Sequence, residues 1–326
     1  MFEMSFPRAA WRRAVRRAAA VATLAVLAGC GGGQQLVAFA PQRILALGDE
    51  SSVITAEGRK YTVNALNTDG TALDCTASPL WIQYVSNTFG LVFPQCNPNA
   101  VAAPRSRILA TSGAKVADVT AQIDAFLAAG DGFGATDLVT VMVGANDVLE
   151  QYKRYPNASA AEITAAVEAA GAALADQVNR VANAGGKVLL AKVIDLGQTP
   201  YALAEQAANT DTDRALLLTN LVARFNARLR VGIINDGRKI GLVQSDERIQ
   251  LSVRFPASLG FVNVTQAACQ AAATLPNCST STLVVDSAGT SATSTTWLWA
   301  DSVHLSAGGQ ARIGEIAEAV ARNNPF

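Results

Sequence analysis

Five short apolar runs, each followed by residues with helical spacing, leave this 326-residue chain few folds to choose from. The runs are 43–47, 107–111, 137–143, 187–194 and 240–244. Most are continuous in polarity rather than alternating, the pattern of strands covered on both faces. Between and after them, apolar residues recur at helical intervals over 81–89, 116–128, 160–183, 211–231 and 306–322, with Ser306 as an N-cap for the last. Strands alternating with helices predict a parallel α/β sheet. The stretch 250–298 departs from this pattern. It is rich in Ser and Thr, holds two cysteines, and reads as a long excursion before the final helix.

The N-terminus has a separate character. Arg8, Arg12, Arg13, Arg16 and Arg17 precede an apolar, alanine-rich run that is too short to span a bilayer. The run ends in Leu27-Ala28-Gly29-Cys30. This layout predicts a signal peptide over 1–29 and resembles the bacterial lipobox, whose cysteine becomes the lipid-bearing first residue. Residues 30–42 then read as Cys30 and its tether, and 43–326 as one large domain. Five of the 26 basic and one of the 26 acidic residues fall in 1–29, leaving 21 and 25. The domain is therefore mildly acidic, which argues against a nucleic-acid partner. Cys75, Cys96, Cys269 and Cys278 remain, an even number that suggests two disulfides in an exported protein. Of the three connectivities, the sequence-local pairs Cys75–Cys96 and Cys269–Cys278 are favoured, because each lies in one irregular segment. Their spacing is wrong for zinc, and no metal or cofactor is expected.

Ligands of open parallel sheets bind at the carboxyl ends of strands. Gly48-Asp49-Glu50-Ser51-Ser52 follows the first run, Ser112-Gly113-Ala114 the second, and Gly144-Ala145-Asn146-Asp147 the third. The chain's single histidine, His304, lies just before the last helix, three residues after Asp301. Each group has a bland alternative as a turn glycine, a cap or a structural histidine. Together they make a set for acyl transfer. His304 is a base, Asp301 orients it, and the Gly113 N–H and Asn146 amide are donors for an oxyanion.

These segments resemble the SGNH, or GDSL, hydrolase family, and in particular its bacterial secreted phospholipase and esterase branch. The likeness runs over most of 43–322. It rests on Leu47-Gly48-Asp49, on Ser112-Gly113-Ala114 with Gln122 in the following helix, on 137–147 ending in Gly144-Ala145-Asn146-Asp147, and on 299–304 ending in Asp301-Ser302-Val303-His304. The resemblance implies a three-layer α/β/α sandwich with a flavodoxin-like, five-stranded parallel sheet. It also implies Gly113 and Asn146 as oxyanion donors and Asp301 with His304 as the acid–base pair.

The family places its nucleophilic serine directly after Gly-Asp. Here Glu50 holds that position and Ser51 follows it. Three readings are open: a shifted turn presents Ser51, Glu50 sits in the nucleophile's place and hydrolysis is lost, or Glu50 itself does carboxylate chemistry. The leading expectation is a lipid-anchored, exported esterase with a Ser51–His304–Asp301 triad acting on a small or lipid ester. Its place would be the cell envelope, held to the outer membrane through Cys30. The competing expectation is an inactive envelope lipoprotein that binds an acylated or glycan ligand.

Overall fold

The computed structural model describes residues 39–285 and 289–326. The expected signal peptide, Cys30 and most of the tether lie outside the described residues.

Five strands form one parallel sheet: β1 (Arg43–Gly48), β2 (Arg107–Ile108), β3 (Asp137–Met142), β4 (Lys187–Ala191) and β5 (Ile240–Val243). Their order is β2-β1-β3-β4-β5. The continuous apolar runs explain the centre of this sheet. Every residue of β3 is buried, as are the last five of β1. These two strands pair from Arg43 opposite Asp137 to Gly48 opposite Met142. Arg43 and Asp137 also join side chains at the strands' starts, through Nε–Oδ1 at 2.7 Å and Nη2–Oδ2 at 2.9 Å. The chain leaves β1 for β2 on one side and later crosses to β3 on the other, so β1 and β3 flank the switch point where such sheets bind ligands.

Helices cover the sheet. α1 (Trp81–Thr88) packs on α8 (Ala307–Asn323). α4 (Ala160–Asn183) packs on both α2 (Val116–Ala128) and α6 (Arg214–Gly232). Right-handed crossovers put these two groups on opposite faces, completing three layers.

Several boundaries differ from the sequence reading. The second strand ends at Ile108, three residues short of the expected end. Leu109 N and Ala110 N both donate to Ala46 O, and the ladder resumes only when Thr111 N reaches Gly48 O. Two donors on one acceptor make a bulge, which an edge strand tolerates. Three helices were not anticipated: α3 (Ala145–Tyr152), α5 (Pro200–Ala208) and α7 (Ser245–Arg254). α5 carries start signals, with Pro200 at its first turn and the Thr199 side chain accepting from Ala202 N. α7 is too polar to show an apolar stripe.

The 250–298 excursion contains order as well. β6 (Asn263–Ala267) and β7 (Trp297–Trp299) pair in parallel as a separate small sheet. Both sequence-local disulfides are present, with Cα–Cα distances of 5.6 Å for Cys75–Cys96 and 5.9 Å for Cys269–Cys278.

One glycine governs the geometry at the switch point. Gly48 has φ +125°, and a Cβ there would lie 1.9 Å from Met142 O. The backbones of β1 and β3 can approach this closely only without a side chain. Gly48→Ala should therefore lower the unfolding free energy by at least ~2 kcal/mol in urea denaturation, combining left-handed strain with backbone overlap.

Candidate active site

The turn after β1 is a single 3₁₀ turn, Glu50–Ser52. Asp49 caps it, accepting from Ser51 N at 3.0 Å. Three residues fill one such turn, so their side chains leave in three directions. Ser52 points inward, where Trp81 Nε1 donates to its hydroxyl at 3.2 Å. Ser51 borders a small recess. Glu50 points along the carboxyl edge of the sheet toward His304.

His304 reaches the same place from the other end of the chain. Ala300 N donates to His304 O at 2.7 Å, closing a tight loop. Inside it, Asp301 Oδ1 accepts from Val303 N at 2.8 Å and His304 N at 2.7 Å. The same carboxylate meets His304 Nδ1 at 2.8 Å through Oδ2. The excursion steadies this loop from behind, because Cys269 N donates to Ala300 O at 2.8 Å. Thr62 Oγ1 donates to Leu305 O at 2.9 Å on the far side.

The Glu50 carboxylate is held on both oxygens. His304 Nε2 lies 3.1 Å from Oε1. Gly113 N donates to Oε2 at 2.7 Å, and Asn146 Nδ2 lies 3.2 Å from the same oxygen. Asn146 is aimed by Ala114 O, which its amide also contacts at 3.1 Å. Asp147 does not face the site. It accepts from Val116 N at 3.0 Å, capping α2 and fixing the Gly113 loop. Gln122 ties α2 to the end of β1, donating to Gly48 O and accepting from Gly48 N, both at 2.9 Å.

Gly113, Asn146, Asp301 and His304 are thus brought together as the sequence predicts. Ser51 is not brought to His304. Its backbone N–H is committed to Asp49, and among the described residues His304 Nε2 meets Glu50 instead. The expected shift of the turn does not occur, because the Asp49 cap starts the 3₁₀ turn at Glu50 and leaves Ser51 one third of a turn away. Sequence reasoning missed Tyr61, whose ring centroid is 6.4 Å from that of His304. It lies in an irregular stretch with no period or motif to mark it.

Two spaces meet at this carboxylate. One is a small recess of about 50 Å³, walled by Met142, Val143, Leu149, Val193, Ile194 and Leu196. The other is an open groove of about 680 Å³ beside Ser112, Gly113, Gln270, Thr274 and Leu275.

Charge in the site is ordered by burial and pairing. Burial opposes the charge of His304, but carboxylates at both ring nitrogens outweigh it and push the imidazole up to about 10. Burial likewise opposes the charges of Glu50 and Asp301, and the hydrogen bonds from His304 bring both below the usual carboxylate range. Asp49 is pushed up to about 7, first by its burial and then by the charge of Glu50 beside it. The resting site is therefore carboxylate, imidazolium, carboxylate.

A family model described as GDSL-like Lipase/Acylhydrolase matches residues 44–317. No curated protein sequence matches the chain. Among solved structures, an acetylxylan esterase from Geobacillus stearothermophilus is similar at 13% identity and TM-score 0.44, covering 87% of this chain and 96% of its own. A lipase from a goat rumen metagenome is similar at 12% identity and TM-score 0.49, covering 87% and 99%.

The imidazolium sets a pH dependence of stability. A folded pKa of about 10 lies above the ordinary 6.5, so the stabilisation from His304 is full below about 6.5 and is lost as pH rises through about 10. Buried Lys60, pushed down to about 8, acts in the opposite sense above that pH. Comparison with a variant separates the two. From pH 7 to 10, the denaturation midpoint of wild type should fall relative to that of His304→Gln.

Proposed function

Because the chain belongs to the GDSL-like lipase/acylhydrolase family, we propose that it hydrolyses carboxylic esters with Glu50 in the nucleophile's place. The observation that carries this reading is the 3.1 Å contact between Glu50 Oε1 and His304 Nε2. A carboxylate is already ionised, so it needs no base to activate it. Oε1 adds to the ester carbonyl carbon. The alkoxide leaves with the proton of His304 Nε2, and a glutamyl–acyl anhydride remains. Water then gives a proton to the neutral imidazole and opens the anhydride, returning Glu50 as a carboxylate and releasing the acid. Asp301 holds the ring through both steps. The recess of about 50 Å³ suits a short acyl chain, and the open groove suits the alcohol portion.

The expected outcome is turnover of p-nitrophenyl acetate and butyrate. Glu50→Gln and His304→Ala should each lose ~10²-fold or more, the range for removing a proton-transfer or nucleophilic group. Ser51→Ala should stay within about twofold of wild type, as expected of a group outside the relay. Loss of turnover in Ser51→Ala would return the nucleophile's role to that serine. Saturable ligand binding by a wild type that turns over neither ester would assign the chain to binding rather than catalysis.

We also propose that the chain is exported and held to the outer membrane of the cell envelope by lipid on Cys30. Support comes from the basic residues, the apolar run and the Leu27-Ala28-Gly29-Cys30 ending. Cys30→Ser should move the protein from the membrane pellet to the soluble fraction and abolish labelling by a radioactive fatty acid.

A further inference from the structure

In a serine esterase, oxyanion donors act on the substrate's carbonyl oxygen. Here the donors are already occupied by an oxygen of the protein. Gly113 N–H at 2.7 Å and Asn146 Nδ2 at 3.2 Å both hold Oε2 of Glu50, and the Asn146 amide also reaches Oε1 at 3.3 Å. Donors fixed on that oxygen stabilise negative charge developing there. Such charge develops when a nucleophile adds to Glu50 Cδ, and that addition is the hydrolysis of an ester carried by Glu50 itself. The other oxygen, Oε1, faces His304 Nε2 at 3.1 Å. Glu50 and His304 also line the open groove of about 680 Å³. Asn146 touches both oxygens, but the Gly113 N–H is on Oε2 alone and His304 Nε2 on Oε1 alone, so Oε1 is the oxygen to take the substrate and Oε2 the one to carry the charge when water removes it.

An electrophilic saturated carbon fits this arrangement as well as an ester carbonyl, because displacement there puts the charge on the leaving atom and asks nothing of the donors on Oε2. A strained ring oxygen would leave toward a donor, and His304 Nε2–H supplies one beside Oε1. Resting on the reading that Glu50 is the nucleophile, we propose that the same site hydrolyses epoxides through a glutamyl alkyl ester.

The steps balance with water as the one co-reactant. Oε1 attacks a ring carbon and the ring C–O bond breaks. The freed oxygen takes the proton from His304 Nε2, leaving a hydroxyalkyl ester on Glu50 and a neutral imidazole held by Asp301. Water gives a proton to Nε2 while its hydroxide adds to Cδ. The charge on Oε2 is met by Gly113 and Asn146. Collapse breaks the Cδ–Oε1 bond, and the proton of the added hydroxyl passes to Oε1. A diol leaves with the original Oε1, and the oxygen from water stays in Glu50.

The test is a single turnover of styrene oxide in heavy-oxygen water with the full chain in excess, followed by mass spectrometry of the Glu50 peptide. Diol should form, and the peptide should gain one heavy oxygen atom. Asn146→Ala should slow breakdown of the ester by about 10²-fold and accumulate protein heavier by one probe molecule. Absence of diol, or diol formed while Glu50 stays unlabelled, overturns the proposal. p-Nitrophenyl acetate run in parallel separates the two claims. Glu50-dependent ester turnover without diol sinks the epoxide activity alone, whereas loss of both reactions sinks the esterase reading as well.

Discussion

A carboxylate placed at the ends of two buried strands has to be compensated, and the organisation of this site follows from how Glu50 is compensated. Glu50 is only 7% exposed. An isolated charge at that depth would take up a proton rather than persist. It persists because one imidazolium, one backbone N–H and one side-chain amide converge on it from three separate segments. Each donor depends on its own support. His304 is held by Asp301, the Gly113 loop by the Asp147 cap on α2, and Asn146 by Ala114 O. Removing one donor would leave the others facing a charge they cannot fully satisfy, and such coupled networks respond non-additively to substitution.

The long excursion before α8 gains its meaning from the same requirement. His304 sits on a loop with little regular structure of its own, and an imidazolium between two carboxylates needs a fixed ring. β7 runs directly into that loop, β6 pairs with β7, and Cys269 binds Ala300 O. The Cys269–Cys278 disulfide closes the segment that makes this last contact. A pinned surface segment thus does for His304 what the main sheet does for Glu50. On the other side, buried Lys60 donates to the carbonyls of Cys75, Ala77 and Ser78, which steadies the segment next to Tyr61 and the first disulfide.

Much of this was legible in the residues, for identifiable reasons. Fully buried strands demand continuous apolar runs, so β1, β3, β4 and β5 stand out within a few residues of their ends. The chemistry at strand ends was legible because Gly113, Asn146, Asp301 and His304 are small or polar groups where a sheet of this kind presents ligands. The direction of the first turn was not. Whether Glu50 or Ser51 faces His304 depends on the left-handed φ of Gly48 and on Asp49 capping Ser51 N. One is a backbone angle and the other a single side-chain cap, and residue types alone do not report which way they turn the chain. Tyr61 and Lys60 escaped for a related reason: they lie in irregular chain, where position is set by individual hydrogen bonds rather than by a period. α7 escaped because its surface-facing polarity hides the few residues it buries, Ile249 among them.

The replacement of a serine by Glu50 changes what the histidine is for. A serine hydroxyl must lose a proton before it attacks, so the imidazole beside it has to be neutral at rest and serve first as a base. A carboxylate has no proton to lose and holds its neighbour in the charged form. With Glu50 and Asp301 at its two nitrogens, His304 is pushed up to about 10 and enters any reaction as an acid. It becomes a base only after giving its proton to a leaving group, when water must be activated in turn. In the proposed reaction the order of proton transfers is therefore inverted while Asp301, Gly113 and Asn146 keep their places. On that proposal, four of the five elements of the site keep the family pattern while the fifth changes the order in which they act.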